Sequence, residues 1–202
     1  MNSSATVYVV DDDEGIRHSL ALLIGAIGLK VRVFSDAASF LDTFDPTLRG
    51  CIVADLKMPG LNGLEMQERL NAVNCRMPII FLSGHGDVPA AVRALRHGAV
   101  DFLEKPFNPK LLLERIEQAI ETDAQLSAVA EKTAEIAGRV SSLTAREREI
   151  MSLVADGKSS KVIALDLGIS ERTVELHRSR IMKKMSARSV ADLVRMISDA
   201  NI

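Results

Sequence analysis

Short apolar runs, each followed at once by polar or loop-forming residues, organise the chain from Thr6 to Leu103. Thr6–Val10 runs into Asp11-Asp12-Asp13, Cys51–Ala54 into Asp55, and Ile79–Leu82 into the Gly-rich loop Ser83-Gly84-His85-Gly86. Val100–Leu103 precedes Lys105-Pro106, and Lys30–Phe34 alternates like a half-buried strand. Runs of this length, rich in Val and Ile and bounded by turn formers or acids, predict strands. Between them apolar residues fall at helical spacing: Ile16, Leu20, Leu23, Ile24 and Ile27 up to Gly28, then Ala37–Phe44, Leu64–Val73, and Val88–His97 up to Gly98. Strands joined through helices pair in parallel, with helices on both faces of the sheet. The expected fold class is α/β, a five-stranded doubly wound parallel sheet. Ligands of such sheets bind beyond the carboxyl ends of the strands. That rule sets Asp11, Asp12, Asp55, Ser83 and Lys105 along one edge.

Beyond Pro109 the pattern changes. Helix formers dominate to about Ala137, with an intermittent apolar stripe of Leu112, Ile116, Ala119, Ile120, Leu126, Val129, Ala130 and Ile136. One long helix is expected, leaving the first domain and becoming a linker. A domain-ending helix with a frayed tail is the alternative, because Glu121–Gln125 is polar. An apolar stripe on a protruding helix needs a partner, such as another copy of the chain. From residue 141 onward no strand pattern remains. Thr144 and Glu147 have capping-box spacing ahead of a helix to Ala155, which Gly157 ends. Ser159 or Ser160 opens a second helix through Leu167, Gly168 turns the chain, Ser170 caps a third helix from Glu171 to Met185, and Ser189 caps a fourth. This is an all-α four-helix module with a helix-turn-helix at its centre. The expected domains are 1–122, a helical linker 123–140, and 141–202.

Composition closes off several functions. Of 202 residues, 47% are hydrophobic and 26% charged, enough to build a core, while 3% aromatics and no Trp exclude a base-stacking platform. No apolar stretch approaches the ~20 residues of a membrane span. Met1–Thr6 carries no secretory pattern, so a cytoplasmic protein without a membrane partner is expected. Cys51 and Cys75 alone make neither a disulfide framework nor a metal cluster. Cys51 is expected in the core, Cys75 is open to a redox role, and His18 and His97 belong on the surface. The net charge of −2 hides an asymmetry: −4 over residues 1–122, −2 over 123–138 and +4 over 139–202. A basic C-terminal third suits a polyanion, although modules of that charge also occur without one.

Three carboxylates meeting at one edge would repel each other and raise their pKa values. A hard divalent cation resolves the conflict, and Mg²⁺ takes one or two carboxylates with waters and a phosphate. Lys105 brings a fixed positive charge and Ser83 a hydroxyl donor. The set describes a phosphoryl-transfer site with Asp55 as nucleophile, forming an acyl phosphate. Loop acids capping helices are the competing explanation, and five matched positions in order weigh against it.

The segments Val-Val-Asp11-Asp12-Asp13, Asp55-Leu-Lys-Met58-Pro59-Gly60, Gly63, Ser83-Gly84 and Asp101-Phe102-Leu-Glu-Lys105-Pro106-Phe107 resemble the receiver domain of bacterial two-component response regulators, with its flavodoxin/CheY-like fold. The resemblance implies that Asp55 accepts phosphate from a sensor histidine kinase. It implies that Asp11, Asp12, Asp55 and the backbone carbonyl of Lys57 hold Mg²⁺. Ser83 and Phe102 would be the switch pair, and Lys105 would contact the phosphate ahead of a cis bond to Pro106. Phe102 has no hydroxyl, so its switching would be steric.

Leu143-Thr144-Ala-Arg146-Glu147-Arg-Glu149, Gly157-Lys-Ser-Ser-Lys161-Val-Ile163-Ala164, Leu167-Gly-Ile169-Ser170 and Thr173-Val174-Glu-Leu-His177 are similar to the LuxR/NarL-type helix-turn-helix. With Gly84-His85-Gly86-Asp87 they point to the FixJ-like group. Val174, Ile181 and Met185 should face the core, turning the basic residues of 171–185 outward as a major-groove helix requires. Arg172, Thr173, His177, Arg180, Lys183 and Lys184 are the phosphate-contact candidates, joined by Ser159, Ser160 and Lys161 from the second helix. Glu175, Leu176 and Ser179 are the base-reading candidates by position in the motif. Glu175 departs from the Lys or Arg often found there: an acid can accept from cytosine N4, yet its charge opposes the DNA backbone.

The resemblance implies a transcription factor. Phosphorylation would pair two receivers through the face built by the fourth helix, fifth strand and following helix. The homodimer would bind a near-palindromic promoter site in double-stranded DNA, meet RNA polymerase and activate transcription. Its only catalysis would be its own phosphoryl transfer and slow dephosphorylation. Two rivals remain. A Mg²⁺-dependent phosphohydrolase of the haloacid-dehalogenase kind needs a carboxylate two residues after the nucleophile, where this chain has Lys57. A pure docking protein would lack the steep salt dependence of a true DNA binder.

Overall fold

The computed structural model describes residues 5–84 and 88–200. The chain divides into two compact units, Met1–Ser127 and Ala128–Ile202. That division falls within the stretch expected to be linker.

In the first unit strands and helices alternate: β1 (Thr6–Val10), α1 (Glu14–Gly25), β2 (Lys30–Phe34), α2 (Ala37–Thr43), β3 (Gly50–Asp55), α3 (Gly63–Ala72), β4 (Ile79–Ser83), α4 (Val88–Arg96), β5 (Asp101–Glu104) and the start of α5 (Pro109–Ser141). All four neighbouring strand pairs are parallel, in the order β2-β1-β3-β4-β5. The period of two along each strand sorts side chains to opposite faces. Tyr8, Val10, Ile52, Ala54, Ile79 and Phe81 pack on one side with Phe40, Met66, Leu70 and Ala94 of α2, α3 and α4. Val7, Val9, Cys51, Val53, Ile80 and Leu82 pack on the other with Leu20, Ile24, Leu112, Ile116 and Ala119 of α1 and α5. Each such aliphatic side chain contributes about 1.5–3 kcal/mol when fully buried. Cys51 is in the core, as its place in a buried strand implies.

The sheet order puts a switch point between β1 and β3, the neighbours from which the chain winds in opposite directions. A crevice opens there beyond the strand ends. Asp11 follows β1 and Asp55 ends β3, so the topology alone delivers both to its rim. Gly63 keeps the chain after β3 close: a Cβ there would stand 2.6 Å from the Asp55 carbonyl oxygen and 2.8 Å from Phe81. Only hydrogen fits, and the Gly63 N–H donates to the Leu56 carbonyl at 3.0 Å.

α1 ends at Gly25, short of Gly28. Its last turn tightens into three-residue bonds from Ile27 N–H to Ile24 and from Gly28 N–H to Gly25, and Gly28, at φ +80°, ends the turn beyond it. α5 is a single 33-residue helix that runs on through Gly138. Leu112, Ile116 and Ala119 are buried in the first core and Ile136 in the second, while Leu126 and Val129 between them are exposed. His85, Gly86 and Asp87, which helped point to the FixJ-like group, lie outside the described residues.

The second unit holds α6 (Ala145–Ala155), α7 (Ser160–Leu167), α8 (Glu171–Met185) and α9 (Val190–Ala200). Thr144 and Glu147 form the capping box, Ser159 and Ser170 cap α7 and α8, and Gly168 closes α7 in the left-handed conformation. The core joins Ile150, Val154, Ile163, Val174, Ile181, Met185 and Leu193.

Candidate functional site

At the switch point Lys105 lies between two carboxylates. Its Nζ donates to Asp11 Oδ2 and to Asp55 Oδ1, both at 2.8 Å. The second oxygen of each carboxylate is also held: Asp11 Oδ1 accepts the Asp13 N–H at 2.9 Å, and Asp55 Oδ2 accepts the Lys57 N–H at 3.0 Å. Arg17 Nη1 donates to the Asp11 carbonyl at 2.7 Å, and Asp13 caps α1 by accepting the Ile16 N–H. Asp11 and Asp55 are both buried. Burial pushes the Asp55 carboxyl above its ordinary range, and the bond from Lys105 only partly offsets this. Burial also opposes the charge on Lys105, but Asp11 and Asp55 outweigh it and hold the ammonium above its ordinary value.

The structure brings together Asp11, Asp55 and Lys105, and sets Ser83 at the end of the adjacent β4. The Ser83 hydroxyl donates to the Gly84 carbonyl at 3.2 Å. Phe102 is half-buried in β5, packed against the core face of α2–α4. The Lys105–Pro106 peptide is cis. Asp12 departs from the expected convergence of three carboxylates. It is exposed, and among the described residues no three Asp, Glu, His or Cys side chains gather as a metal cage. Successive residues leaving a strand point to opposite sides, so Asp11 turns inward and Asp12 outward. Two buried carboxylates against one ammonium still leave the site one unit negative. That donor set fits Mg²⁺, which binds through one or two carboxylates and keeps its waters.

In the second unit Val174, Ile181 and Met185 of α8 are buried, leaving Arg172, Glu175, Leu176, Ser179, Arg180 and Lys183 exposed. Arg172, Leu176, Ser179 and Lys183 recur at helical spacing along one stripe. Thr173 and His177 are half-buried. The Thr173 hydroxyl shares a 2.8 Å hydrogen bond with Ser170, and His177 Nδ1 is buried without a hydrogen-bond partner among the described residues. On α7 Lys161 is exposed, the Ser159 hydroxyl accepts the Val162 N–H as cap, and the Ser160 hydroxyl donates to the Glu175 carboxylate. Lys184, expected at a phosphate, has its ammonium 2.7 Å from the buried Glu147 and 3.2 Å from the Ser142 carbonyl. It fastens α8 to the start of α6. Sequence reasoning placed Glu147 in the capping box but did not see this second bond. Only the Thr-x-x-Glu spacing hinted that the carboxylate would be held.

Residues 7–117 match the response regulator receiver domain family, and residues 141–197 the bacterial regulatory proteins of the luxR family. The transcriptional regulatory protein FixJ of Azorhizobium caulinodans is 44% identical over 196 residues, covering 97% of this chain and 93% of its own. The chain belongs to the response regulators. The response regulator protein TodT of Pseudomonas putida is 40% identical over 193 residues, covering 96% of this chain and 85% of its own. Among solved structures, the response regulator StyR superposes with a TM-score of 0.91 at 42% identity, covering 96% of this chain and 98% of its own. Full-length FixJ from B. japonicum matches at 0.61 and 43% identity, over 99% and 98%. As a response regulator with a receiver and a LuxR-type module, this protein regulates transcription under the control of phosphorylation. Its receiver calls for a kinase partner and its module for DNA. Among the described residues no helix is long and apolar enough to cross a membrane.

Proposed function

We propose that Asp55 is the phosphoacceptor and that its phosphorylation pairs two receivers, so that two copies of α8 grip a near-palindromic promoter site. The observation that carries the reading is the shared ammonium: Lys105 bridges Asp11 and Asp55 at the sheet's switch point. An Asp55 oxygen attacks the phosphorus of a phosphohistidine on the sensor kinase. The P–N bond breaks as the O–P bond of an acyl phosphate forms. Lys105 then exchanges its Asp55 contact for a phosphate oxygen, which keeps its charge neutralised. Asp11, Asp12, Asp55 and the Lys57 carbonyl would hold Mg²⁺, which when bound supplies charge neutralisation to the phosphoryl oxygens.

Ser83 turns its hydroxyl from the Gly84 carbonyl to the new phosphate, and the half-buried Phe102 ring moves into the space released. The face of α4, β5 and α5 changes with it. Val92, Leu95 and Val100 are exposed apolar side chains of α4 and the approach to β5, and they support pairing of two copies there. The paired modules place Arg172, Thr173, His177, Arg180, Lys183, Ser159 and Lys161 toward phosphates, and Glu175, Leu176 and Ser179 toward bases, while Lys184 holds Glu147 and Ser160 holds Glu175. The complex meets RNA polymerase and activates transcription in the cytoplasm. The receiver catalyses only its own phosphoryl transfer and slow dephosphorylation, with no external substrate. A coupling of ~1–3 kcal/mol between phosphorylation and dimerisation gives a 5–150-fold response.

The test is light scattering and footprinting with a small phosphodonor. The wild type dimerises and protects DNA, and the Asp55→Asn variant does neither. Dimerisation of that variant on phosphodonor treatment sinks the mechanism.

A further inference from the structure

We propose that Ser160 and Glu175 form one specificity element, in which the Ser160 hydroxyl fixes the Glu175 carboxylate to select cytosine in each half-site. This rests on the reading of α8 as the DNA-reading helix. Glu175 is an exposed acid in the first half of α8, the part of a recognition helix that reaches base edges. On general electrostatics it is misplaced, because a carboxylate facing a phosphate backbone is repelled at every sequence. Its presence gains affinity only where a base donates to it.

The neighbouring helix supplies the orientation. Two serines stand at the start of α7, and their roles are divided. Ser159 caps the helix, accepting the Val162 N–H, while Ser160, the first helical residue, donates its hydroxyl proton to Glu175 Oε1. One carboxylate oxygen thereby accepts from Ser160, which restrains the side chain and leaves the other oxygen as an acceptor. The major-groove edges sort the bases against such a group. Guanine offers N7 and O6, and thymine offers O4, all acceptors that repel it. Cytosine offers its N4 amino group, a single donor matched to a single acceptor. Adenine offers N6, but beside it stands the N7 acceptor, which calls for a second donor. The Ser160 proton that could have served N7 is spent on Glu175. Ser160 acts through Glu175 and is a positioning residue.

The sign of the effect separates this from a merely structural contact. Losing a structural contact weakens binding to all DNA. Losing this element strengthens binding to random-sequence DNA, because a repelling charge is removed, and flattens the choice of base. The experiment uses the full chain treated with a small phosphodonor and Mg²⁺, selecting from a randomised double-stranded DNA library, followed by titration of the selected site with single base exchanges at several salt concentrations. The wild type is expected to prefer cytosine at one position of each half-site by about tenfold over guanine. Glu175→Gln, whose amide both accepts and donates, transfers that preference to adenine and binds random DNA more tightly. Ser160→Ala, which releases the Glu175 carboxylate to turn, keeps cytosine over guanine but by a smaller margin than the wild type. A Glu175→Gln variant that selects the same base by the same margin overturns the inference while leaving the DNA-reading helix in place. A wild type that selects no sequence at all, or binds without steep salt dependence, overturns both.

Discussion

Each unit of this response regulator sets a lysine against buried carboxylate, and the two arrangements differ in how the charges balance. In the receiver one ammonium, Lys105, is divided between Asp11 and Asp55. In the DNA-binding module Lys184 meets one carboxylate, Glu147, and the Thr144 N–H adds a second donor at 2.9 Å. The outcomes are opposite. Burial wins at Asp55, whose carboxyl sits above its ordinary range. At Glu147 the bond from Lys184, then the Thr144 N–H, pulls the carboxyl down to about 2. A carboxylate with its charge met is a fastener. On the proposed function, a carboxylate raised by burial is the one that accepts the phosphoryl group. On that proposal the same pair of residue types does structural work in one unit and chemical work in the other.

Lys105→Ala is expected to have the largest effect. Asp11 and Asp55 then face each other with no ammonium between them. Removing one member of a buried pair leaves uncompensated charge, and at this partly solvated rim the expected loss of receiver stability is ~1–3 kcal/mol at neutral pH. Urea denaturation measures it. Mg²⁺ at millimolar concentration should restore part of the loss and a chelator should remove that gain, because the variant's site is more negative. A smaller effect is expected from Asp55→Asn. The ionised form of Asp55 is disfavoured by folding, so a neutral isostere should raise stability slightly, by less than Lys105→Ala costs. A clear loss of stability in that variant would mean that Asp55, like Glu147, is a fastener.

Much of this was legible in the sequence because it depends on local rules. Strand runs ending in Asp11 and Asp55, the Thr144–Glu147 box and the Ser170 cap are short-range patterns, and a parallel sheet converts strand ends into one edge. What resisted prediction depends on distant partners or on side-chain direction. Asp12 reads the same as Asp11 in sequence, and only the twofold alternation at the strand end separates the exposed one from the buried one. Asp123 belongs to the polar stretch that suggested a fraying helix, yet it is buried and accepts the Gly50 N–H at 2.9 Å, fixing α5 to the start of β3. Lys184 looked like one more cation on a DNA-facing helix. Its engagement with Glu147 joins positions 37 residues apart, which no helical period reveals.

The two carboxylates respond to pH in opposite directions. Glu147 has its carboxyl lowered, so its contribution is complete above the ordinary value of 4.5 and is lost as pH falls toward about 2. Lys184→Met removes that contribution. Its cost should be less than that of Lys105→Ala, since Lys184 is more exposed than Lys105 and solvent screens its charge. The wild type is then the more stable of the pair at neutral pH, and the gap closes between 4.5 and about 2. Asp55 is raised, so folding disfavours its ionised form, and the penalty disappears as pH falls through its folded value, above the ordinary 3.8. Here Asp55→Asn is the more stable partner at neutral pH, and the gap closes at a higher pH than for Glu147. Urea melts of both variants against wild type across this range should give two difference curves of opposite sign, the receiver's closing first. Curves of the same sign would show that one shared ammonium satisfies two carboxylates as well as one, and would remove the distinction between reactive and structural pairs.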